Sequence, residues 1–278
     1  MEKPQDCFVK VGQINTRYWT MGSHHSPIIL IHGIGGNVES WLPNFQALAA
    51  KHRVYALDLL GHGLTDKPLD VSYDVLSLAQ FVKGFIAVLG IDHAHLVGHS
   101  LGGGVALQFA LTFPSAIDRL VLVASAGLGR EAALALRISS LPLLGEYLTR
   151  PSLSGTKQSM QSIIFDPTLV TDDLVEQNYR LALLPDAQKA FLKTLRAVGD
   201  MSGQKQNFYA PIVAGLPTLR RPVMVVWGYQ DPVIPVAHAQ VARGLPDARL
   251  HLLKDCGHLP MFEHTQVFNE LVLEFLMD

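Results

Sequence analysis

Short apolar runs alternate with amphipathic segments in the first and last parts of the chain. Runs of mostly apolar residues predict buried strands at 28–31, 54–57, 95–97, 120–123, 223–227 and 249–253. Helical patterns occupy about 38–50, 72–89, the segment after 100, 235–244 and 261–277. An alternating stretch from Phe8 to Thr20 turns at Gly12. This alternation of strand and helix predicts an α/β fold, with a parallel sheet covered by helices on both faces.

The alternation is interrupted from about 127 to 219. This segment has helical patterns punctuated by prolines and glycines, and it contains no convincing run of strand residues. We therefore expect a helical insertion between two parts of one α/β unit, residues 1–126 and 220–278.

The composition is that of a compact globular protein. Of its 278 residues, 49% are hydrophobic and only 17% are charged, which is too apolar for a disordered chain. The net charge is −2 and no run of lysine or arginine occurs, so neither nucleic acid nor an anionic membrane surface is an obvious partner. These features favour a small, uncharged ligand. We expect a monomer or a homodimer.

The amino terminus and the cysteines favour a cytoplasmic protein. Residues 1–7 carry charges and a proline where a signal peptide needs an apolar core, and no apolar run approaches the ~18 residues of a membrane span. Cys7 and Cys256, at opposite ends of the chain, suggest neither a disulfide framework nor a zinc site. We expect both to be buried free thiols.

A serine stands between two glycines where an apolar run ends and a helical pattern begins. Residues 97–102 read Val-Gly-His-Ser-Leu-Gly, the signature of a nucleophile elbow. In such an elbow a tight turn exposes the serine hydroxyl, and glycines at 98 and 102 avoid collisions that larger residues would make. The pattern makes Ser100 a candidate nucleophile.

A serine hydroxyl needs a general base, and the base needs an acid that orients it. Asp231 and His258 each follow the end of a predicted strand, as Ser100 does, and ligand sites of open α/β sheets lie at that edge. The order Ser, Asp, His is the one that accompanies the elbow. Taken alone, Asp231 or His258 is typical of an ordinary loop residue. Asp255 is disfavoured as the orienting acid because it is only three positions from His258 in the sequence. Jointly, they favour Ser100 as nucleophile, His258 as base and Asp231 as orienting acid.

Residues 32–36, His-Gly-Ile-Gly-Gly, provide flexible backbone directly after an apolar strand. We expect the amides of Ile34 and Leu101 to form an oxyanion hole for the charge that develops in acyl transfer, in the favourable field of a helix N-terminus. A dinucleotide-binding loop is the alternative, since Asp58 ends the next strand. Val38 stands where that fingerprint requires Gly or Ala, so the alternative is disfavoured.

Together these motifs resemble the α/β-hydrolase superfamily across nearly the whole chain. Besides the elbow, the resemblance is carried by His-Gly at 32–33, Asp-Leu-Leu-Gly-His-Gly-Leu-Thr-Asp at 58–66, Trp-Gly-Tyr-Gln-Asp at 227–231 and Gly-His-Leu-Pro at 257–260. It implies an α/β-hydrolase fold with a mostly parallel eight-stranded sheet flanked by helices, and an inserted helical cap at 127–219. It implies the same catalytic and oxyanion-hole residues. We expect Gly33, His99 and Leu259 to bind substrate.

The resemblance is to the serine esterase and lipase-like branch. Haloalkane dehalogenases and epoxide hydrolases carry aspartate at the elbow, so Ser100 favours ester chemistry. This implies a carboxylesterase of class EC 3.1.1 that acts on small to medium hydrophobic esters through an acyl-enzyme. Such a reaction requires no metal and no organic cofactor.

Two other functions stay open. Hydrolases that cleave the carbon–carbon bond of ring-fission vinylogous diketones also carry the elbow serine. They commonly have tryptophan where Leu259 stands and often alanine where Leu101 stands, and both departures disfavour that branch. A receptor-like member that senses a ligand with slow turnover would keep the same three catalytic residues.

Overall fold

The computed structural model describes residues 3–23, 27–245 and 248–277. The strands in these ranges are β1 (Cys7–Val11), β2 (Ile14–Met21), β3 (Pro27–Ile31), β4 (Arg53–Leu57), β5 (Ala94–His99), β6 (Ile117–Val123), β7 (Gly199–Asp200), β8 (Gly203–Gln204), β9 (Val223–Gly228) and β10 (Ala248–Leu253).

The α-helices in these ranges are α1 (Leu42–Ala49), α2 (Val75–Val88), α3 (Leu101–Thr112), α4 (Leu134–Ser139), α5 (Leu144–Leu148), α6 (Leu153–Gln161), α7 (Asp172–Ala182), α8 (Ala187–Val198), α9 (Gln206–Gly215), α10 (Pro260–Glu263) and α11 (Thr265–Met277). Short 3-10 helices occur at Val38–Trp41, Pro114–Ala116, Pro167–Leu169, Leu216–Thr218 and Val236–Gly244.

One eight-stranded sheet organises the molecule, in the order β1-β2-β4-β3-β5-β6-β9-β10. β1 and β2 are antiparallel to their neighbours, and every pair from β4 to β10 is parallel. The parallel strands therefore end at one edge, where the loops after β3, β5, β6, β9 and β10 meet. This confirms the predicted α/β-hydrolase fold.

The central strands are buried on both faces, which explains their continuous apolar runs. In β3, Ile29 and Ile31 belong to one hydrophobic cluster, whereas Ile28 and Leu30 belong to a second cluster. Successive side chains of a strand point to opposite faces, so the two clusters cover the two sides of the sheet. Every residue of β5 and of β9 is buried. The sheet thus gives the loops at its carboxyl edge a rigid base.

Three predicted helices are divided or wound differently. The segment 38–50 begins as a 3-10 turn, capped by the Asn37 side chain, and continues as α1. The segment 235–244 is 3-10 helix from 236 onward, and 261–277 is divided between α10 and α11 at His264. Over a single turn, windings of 3.0 and 3.6 residues per turn both place apolar residues three to four positions apart, so a short pattern could not distinguish them.

The segment 127–219 contains α4 to α9, as the predicted helical insertion required, and also the antiparallel pair β7–β8. Two-residue strands are too short to leave a period in the sequence. Gln204 fixes this pair through two hydrogen bonds. Its side-chain Oε1 accepts from the Gly127 amide at 2.7 Å, and its backbone amide donates to the Arg130 carbonyl at 2.6 Å. The division into a core and a cap stays a prediction.

Two further features concern the thiols and the helices. Cys7 and Cys256 are both free, but only Cys256 is buried, because Cys7 lies on the edge strand β1 and is half-buried. The expectation of two buried thiols was therefore wrong for Cys7. None of the helices in the described ranges is long and apolar enough to cross a membrane. Within the same ranges, no group of three or more His, Cys, Asp or Glu residues could hold a metal ion.

Candidate active site

Ser100 lies in the tight turn between β5 and α3, in a strained backbone conformation. Its φ is 52° and its ψ is −118°, a region that residues other than glycine rarely adopt. Two hydrogen bonds hold this conformation: the Ser100 amide donates to the Val123 carbonyl, and the Ala126 amide donates to the Ser100 carbonyl, both at 2.9 Å. The last residue of β6 and the loop after it therefore fix the peptide units on both sides of Ser100. This is the backbone strain that the elbow motif predicts, but Ser100 is only 6% exposed, so the expectation of an exposed hydroxyl was wrong.

The two glycines of the elbow stand where no side chain fits. A Cβ atom on Gly98 would lie 2.3 Å from the Gly102 carbonyl oxygen, and one on Gly102 would lie 2.3 Å from the Ile31 carbonyl oxygen. Real Cβ atoms do not approach backbone oxygens so closely. The glycines thus allow α3 to pack against β5 and β3, and this close packing sets the position of Ser100.

Asp231 and His258 form a buried pair at the carboxyl ends of β9 and β10. The distance between His258 Nδ1 and Asp231 Oδ2 is 2.8 Å, and both side chains are almost inaccessible to solvent. The other carboxylate oxygen, Oδ1, accepts from the amides of Val233 and Ile234 at 2.8 and 3.0 Å. Because the carboxylate can only accept when ionised, Nδ1 carries the proton and donates. In the neutral imidazole, this bond leaves Nε2 of His258 as the nitrogen that can accept a proton.

The peptide unit of His258 is held from two directions. Its amide donates to the carbonyl of Ile163, in the inserted helical segment, at 2.8 Å. Its carbonyl accepts from Nε2 of His99 at 2.8 Å, and the two imidazole rings lie 4.8 Å apart between centroids. His99 directly precedes Ser100 in the chain. These contacts bring the loop of His258 next to the elbow, and the approach of its Nε2 to the Ser100 hydroxyl stays a prediction.

Ser100 lines a cavity of about 50 Å³. The predicted oxyanion residues Ile34 and Leu101 line the same cavity. In the described part of the chain, neither of their amides donates a hydrogen bond to another protein group. The other walls are mostly apolar and include Leu136, Leu195, Val198, Phe208, Val233 and Ile234. The lining also includes the polar residues Arg137, Asp200 and Gln204. The cavity thus combines the Ser100 hydroxyl with mostly apolar surface, beside the N-terminus of α3.

The three predicted substrate-binding residues lie outside this cavity. Gly33 packs behind the elbow, where an added Cβ would lie 2.9 Å from Nδ1 of His99 and 3.0 Å from Cβ of Ser100. His99 is buried, and its Nε2 is engaged by the His258 carbonyl. Leu259 packs against apolar residues of the insertion, including Ile164. Their contact with substrate stays a prediction. In the structure, Gly33 and Leu259 pack against neighbouring residues, and His99 forms a hydrogen bond to the His258 carbonyl.

Asp58, the acid that the dinucleotide-binding alternative would need, is engaged by protein groups. Its carboxylate accepts from the amides of Val38 and Leu64, each at 2.8 Å, and lies 3.3 Å from the guanidinium of Arg17. Burial raises the pKa of Asp58 to about 6, and the charge of Arg17 opposes that rise. Asp58 therefore fixes the loops after β3 and β4. It is not available to a ribose hydroxyl.

Buried neutral histidines surround the elbow. The Nε2 of His32 accepts from the Leu59 amide at 3.0 Å, and its Nδ1 lies 2.7 Å from the Gly33 carbonyl, which fixes one neutral tautomer. Burial lowers the pKa of His32 to about 3 and the pKa of His62 to about 4, and it holds the pKa of His99 well below its usual range. These rings are structural groups that stay uncharged in the folded protein.

Comparison with known proteins identifies the family. Residues 26–265 match the family model described as alpha/beta hydrolase fold. A curated relative, the 2-hydroxy-6-oxononadienedioate/2-hydroxy-6-oxononatrienedioate hydrolase of Comamonas testosteroni, is 33% identical over 256 residues, which cover 90% of this chain and 87% of the relative. The chain therefore belongs to the α/β-hydrolase family, and the resemblance carried by its motifs is confirmed.

Solved structures agree with this assignment. A meta-cleavage product hydrolase of Pseudomonas fluorescens IP01 has a TM-score of 0.84 at 28% identity, covering 97% of this chain and 96% of that one. A membrane phospholipase A, described as a bacterial virulence factor, has a TM-score of 0.84 at 25% identity, covering 98% and 86%. Carbon–carbon bond hydrolases and lipases are thus both among the structures that this chain resembles.

The close approach of α3 to β3 predicts a large effect of one added methyl group. Gly102→Ala should lower the free energy of unfolding by at least about 2 kcal/mol, because the new Cβ meets two carbonyl oxygens that cannot move separately from the sheet. Urea denaturation measures this change. Gly244→Ala is the control, since a Cβ there has no atom within 4 Å. Equal stabilities of the two variants would contradict the packing described for the elbow.

The buried histidines predict that the protein loses stability in mild acid. The pKa of His62 is about 4 when folded and near 6.5 when unfolded, so unfolding takes up a proton as the pH falls from about 6.5 towards 4. His62→Gln should reduce the pH dependence of the free energy of unfolding in that window by up to about 1.4 kcal/mol per pH unit. Asp58 acts in the opposite direction but is common to both proteins. Urea titrations at several pH values test this, and superimposable slopes would exclude a neutral buried His62.

Proposed function

We propose that this protein is a serine hydrolase that cleaves carboxylic esters with hydrophobic acyl or alcohol parts. The observation that carries the proposal is the buried bond between Asp231 and His258, in a loop whose backbone accepts from His99, the residue before a strained Ser100 that lines a mostly apolar cavity. A strained nucleophile, an oriented base and unpaired backbone donors are the parts that acyl transfer needs. The likeness to a phospholipase and to hydrolases supports the same class of chemistry.

In the first step, the Ser100 hydroxyl attacks the ester carbonyl carbon while His258 Nε2 takes its proton. Asp231 keeps the other ring proton on Nδ1 and stabilises the imidazolium that forms. The amides of Ile34 and Leu101 stabilise the negative charge on the carbonyl oxygen, and the N-terminus of α3 contributes a favourable field. The tetrahedral intermediate collapses as the imidazolium gives its proton to the leaving alkoxide oxygen. The products of this step are the alcohol and an ester of Ser100.

In the second step, water attacks the Ser100 ester. His258 takes a proton from the water and then returns a proton to the Ser100 oxygen, which releases the carboxylic acid and restores the enzyme. All proton transfers use the imidazole of His258. Because water attacks the acyl-enzyme, the reaction consumes one water for each ester cleaved.

The cavity supports the choice of an apolar substrate. Leu136 of α4, Leu195 of α8 and Phe208 of α9 form the side of the cavity contributed by the insertion. Apolar walls bind a ligand through the surface that it removes from water, and they recognise its shape more than its charge. We therefore assign substrate selection to the inserted helices.

Hydrolysis of a carbon–carbon bond is the second candidate function. It is favoured by the 33% identity to the hydrolase of Comamonas testosteroni and by the likeness to a meta-cleavage product hydrolase. It is disfavoured by Leu259 and Leu101, which depart from the residues common in that branch.

The assignment of Ser100 as nucleophile predicts a large loss of activity when its hydroxyl oxygen is removed. Ser100→Ala should lower kcat for a short aryl ester at least about a thousandfold, while the melting temperature changes by only a few degrees. Ser115→Ala, in an exposed 3-10 turn after the carboxyl end of α3, is the control and should keep full activity. Steady-state turnover beyond one equivalent also excludes a receptor with single turnover. Full activity of Ser100→Ala would overturn the proposal.

The choice between the two candidate reactions predicts a ratio of specificity constants. The wild-type protein should show a higher kcat/KM for aryl esters with apolar acyl groups than for a ring-fission vinylogous diketone. The aryl ester releases an absorbing phenol, and the conjugated diketone loses its own absorbance on cleavage, so initial rates under the same conditions measure the ratio. A higher constant for the diketone would replace esterase by carbon–carbon hydrolase as the function.

A further inference from the structure

The carboxylate of Glu263 accepts hydrogen bonds from both amides that flank His258. The Gly257 amide donates to Oε1 and Oε2 at 3.0 and 2.9 Å, and the Leu259 amide donates to Oε1 at 3.0 Å. A third amide, that of Phe165 in the inserted segment, donates to Oε2 at 2.6 Å. One carboxylate therefore binds the loop of His258 and the insertion at the same time.

The backbone of the insertion lies directly against this loop. An added Cβ on Gly257 would lie 2.8 Å from the Ile163 carbonyl oxygen, 2.8 Å from Cα of Ile164 and 2.8 Å from the Phe165 amide nitrogen. The amide of His258 donates to the same Ile163 carbonyl at 2.8 Å. The two backbone segments thus touch without intervening side chains. The negative charge of Glu263 lies at their junction.

All three consecutive amides of the loop are engaged. Those of residues 257 and 259 donate to Glu263, and that of His258 donates to Ile163. The His258 carbonyl accepts from His99. Because a side chain inherits the orientation of its peptide units, this set of bonds fixes the direction from which the imidazole leaves the backbone. Nothing in the Asp231 pair alone fixes the direction of Nε2, since a ring can rotate about a single hydrogen bond.

We propose that Glu263 is a positioning residue for His258, which acts through the backbone amides of residues 257 and 259 and couples them to the inserted segment at Phe165. The inference rests on the proposed function, because it assigns His258 as the base. Glu263 is also the last residue of α10, and its bond to the Leu259 amide satisfies the start of that helix. The bonds to Gly257 and Phe165 lie outside the helix, so helix capping does not explain them.

The test compares Glu263→Gln with a matched control, Glu270→Gln. Both acids lie near the carboxyl end of the chain, but Glu270 is exposed and, among the described residues, accepts only from the side chain of Gln266, at 2.9 Å. The glutamine at 263 keeps the shape of the side chain, but it loses the charge and turns an NH₂ group towards an amide donor. Glu263→Asp keeps the charge with a shorter reach and serves as the conservative variant.

For Glu263→Gln we expect kcat for a short aryl ester to fall between about 10- and 100-fold, because small displacements of a catalytic group have effects of that size. KM should change less than about twofold, because the cavity walls are untouched. Glu263→Asp should recover part of the lost kcat, and Glu270→Gln should match the wild type. Unchanged kcat in Glu263→Gln would overturn the proposal, as would a loss of kcat no greater than the loss of folded protein measured by circular dichroism.

A second measurement does not depend on activity. The proton on Nδ1 of His258, between the ring and Asp231, gives a low-field resonance in histidine-labelled protein. It should shift or broaden in Glu263→Gln and stay unchanged in Glu270→Gln. An unchanged resonance in folded Glu263→Gln would overturn the positioning role, and if that variant does not fold, Glu263→Asp is judged by the same two criteria. If the wild type shows no Ser100-dependent hydrolysis, the proposed function fails, and this resonance still decides the role of Glu263.

Discussion

The buried hydrogen bond from His258 Nδ1 to Asp231 Oδ2 is the interaction on which the rest of the site depends. An ionised carboxylate removed from water is costly unless donors surround it, and Asp231 receives one imidazole N–H and two backbone amides. Each of these donors comes from a different peptide unit or loop, so the carboxylate fixes the chain after β9 and the chain after β10 together. The same bond determines which nitrogen of His258 is free to take a proton.

The sheet fixes the relative positions of the loops that carry Ser100, Asp231 and His258. β5 and β9 are buried throughout, and β6 lies between them, so the ends of these strands cannot shift independently. The strained conformation of Ser100 costs about 1–3 kcal/mol and persists only because its surroundings fix it. Here the Val123 carbonyl and the Ala126 amide hold the peptide units around Ser100. The strained backbone of Ser100 and the orientation of His258 therefore both depend on the close packing at the carboxyl edge of the sheet.

Most features that depend on side-chain period or on local steric rules were predictable from the sequence, apart from the 3-10 windings and the division at His264. Continuous apolar runs indicated the parallel strands, and the glycines around Ser100 indicated the elbow, because no larger residue fits there. Contacts made by backbone atoms over long separations were not predictable. The Ile163 carbonyl and the Phe165 amide carry no residue identity, and the pattern gives no sign that they reach residues about a hundred positions away. Glu263 leaves one weak signal, an acid five residues after His258.

Covalent labelling of the nucleophile tests the central claim most directly, namely that Ser100 is activated by the pair of His258 and Asp231. The wild-type protein is treated with a fluorophosphonate, and the modified peptide is identified by mass spectrometry. We predict one adduct per chain, on Ser100, formed at a rate that falls at least about a hundredfold in Asp231→Asn. An adduct on another residue, or labelling of Ser100 at the same rate in both proteins, would contradict it.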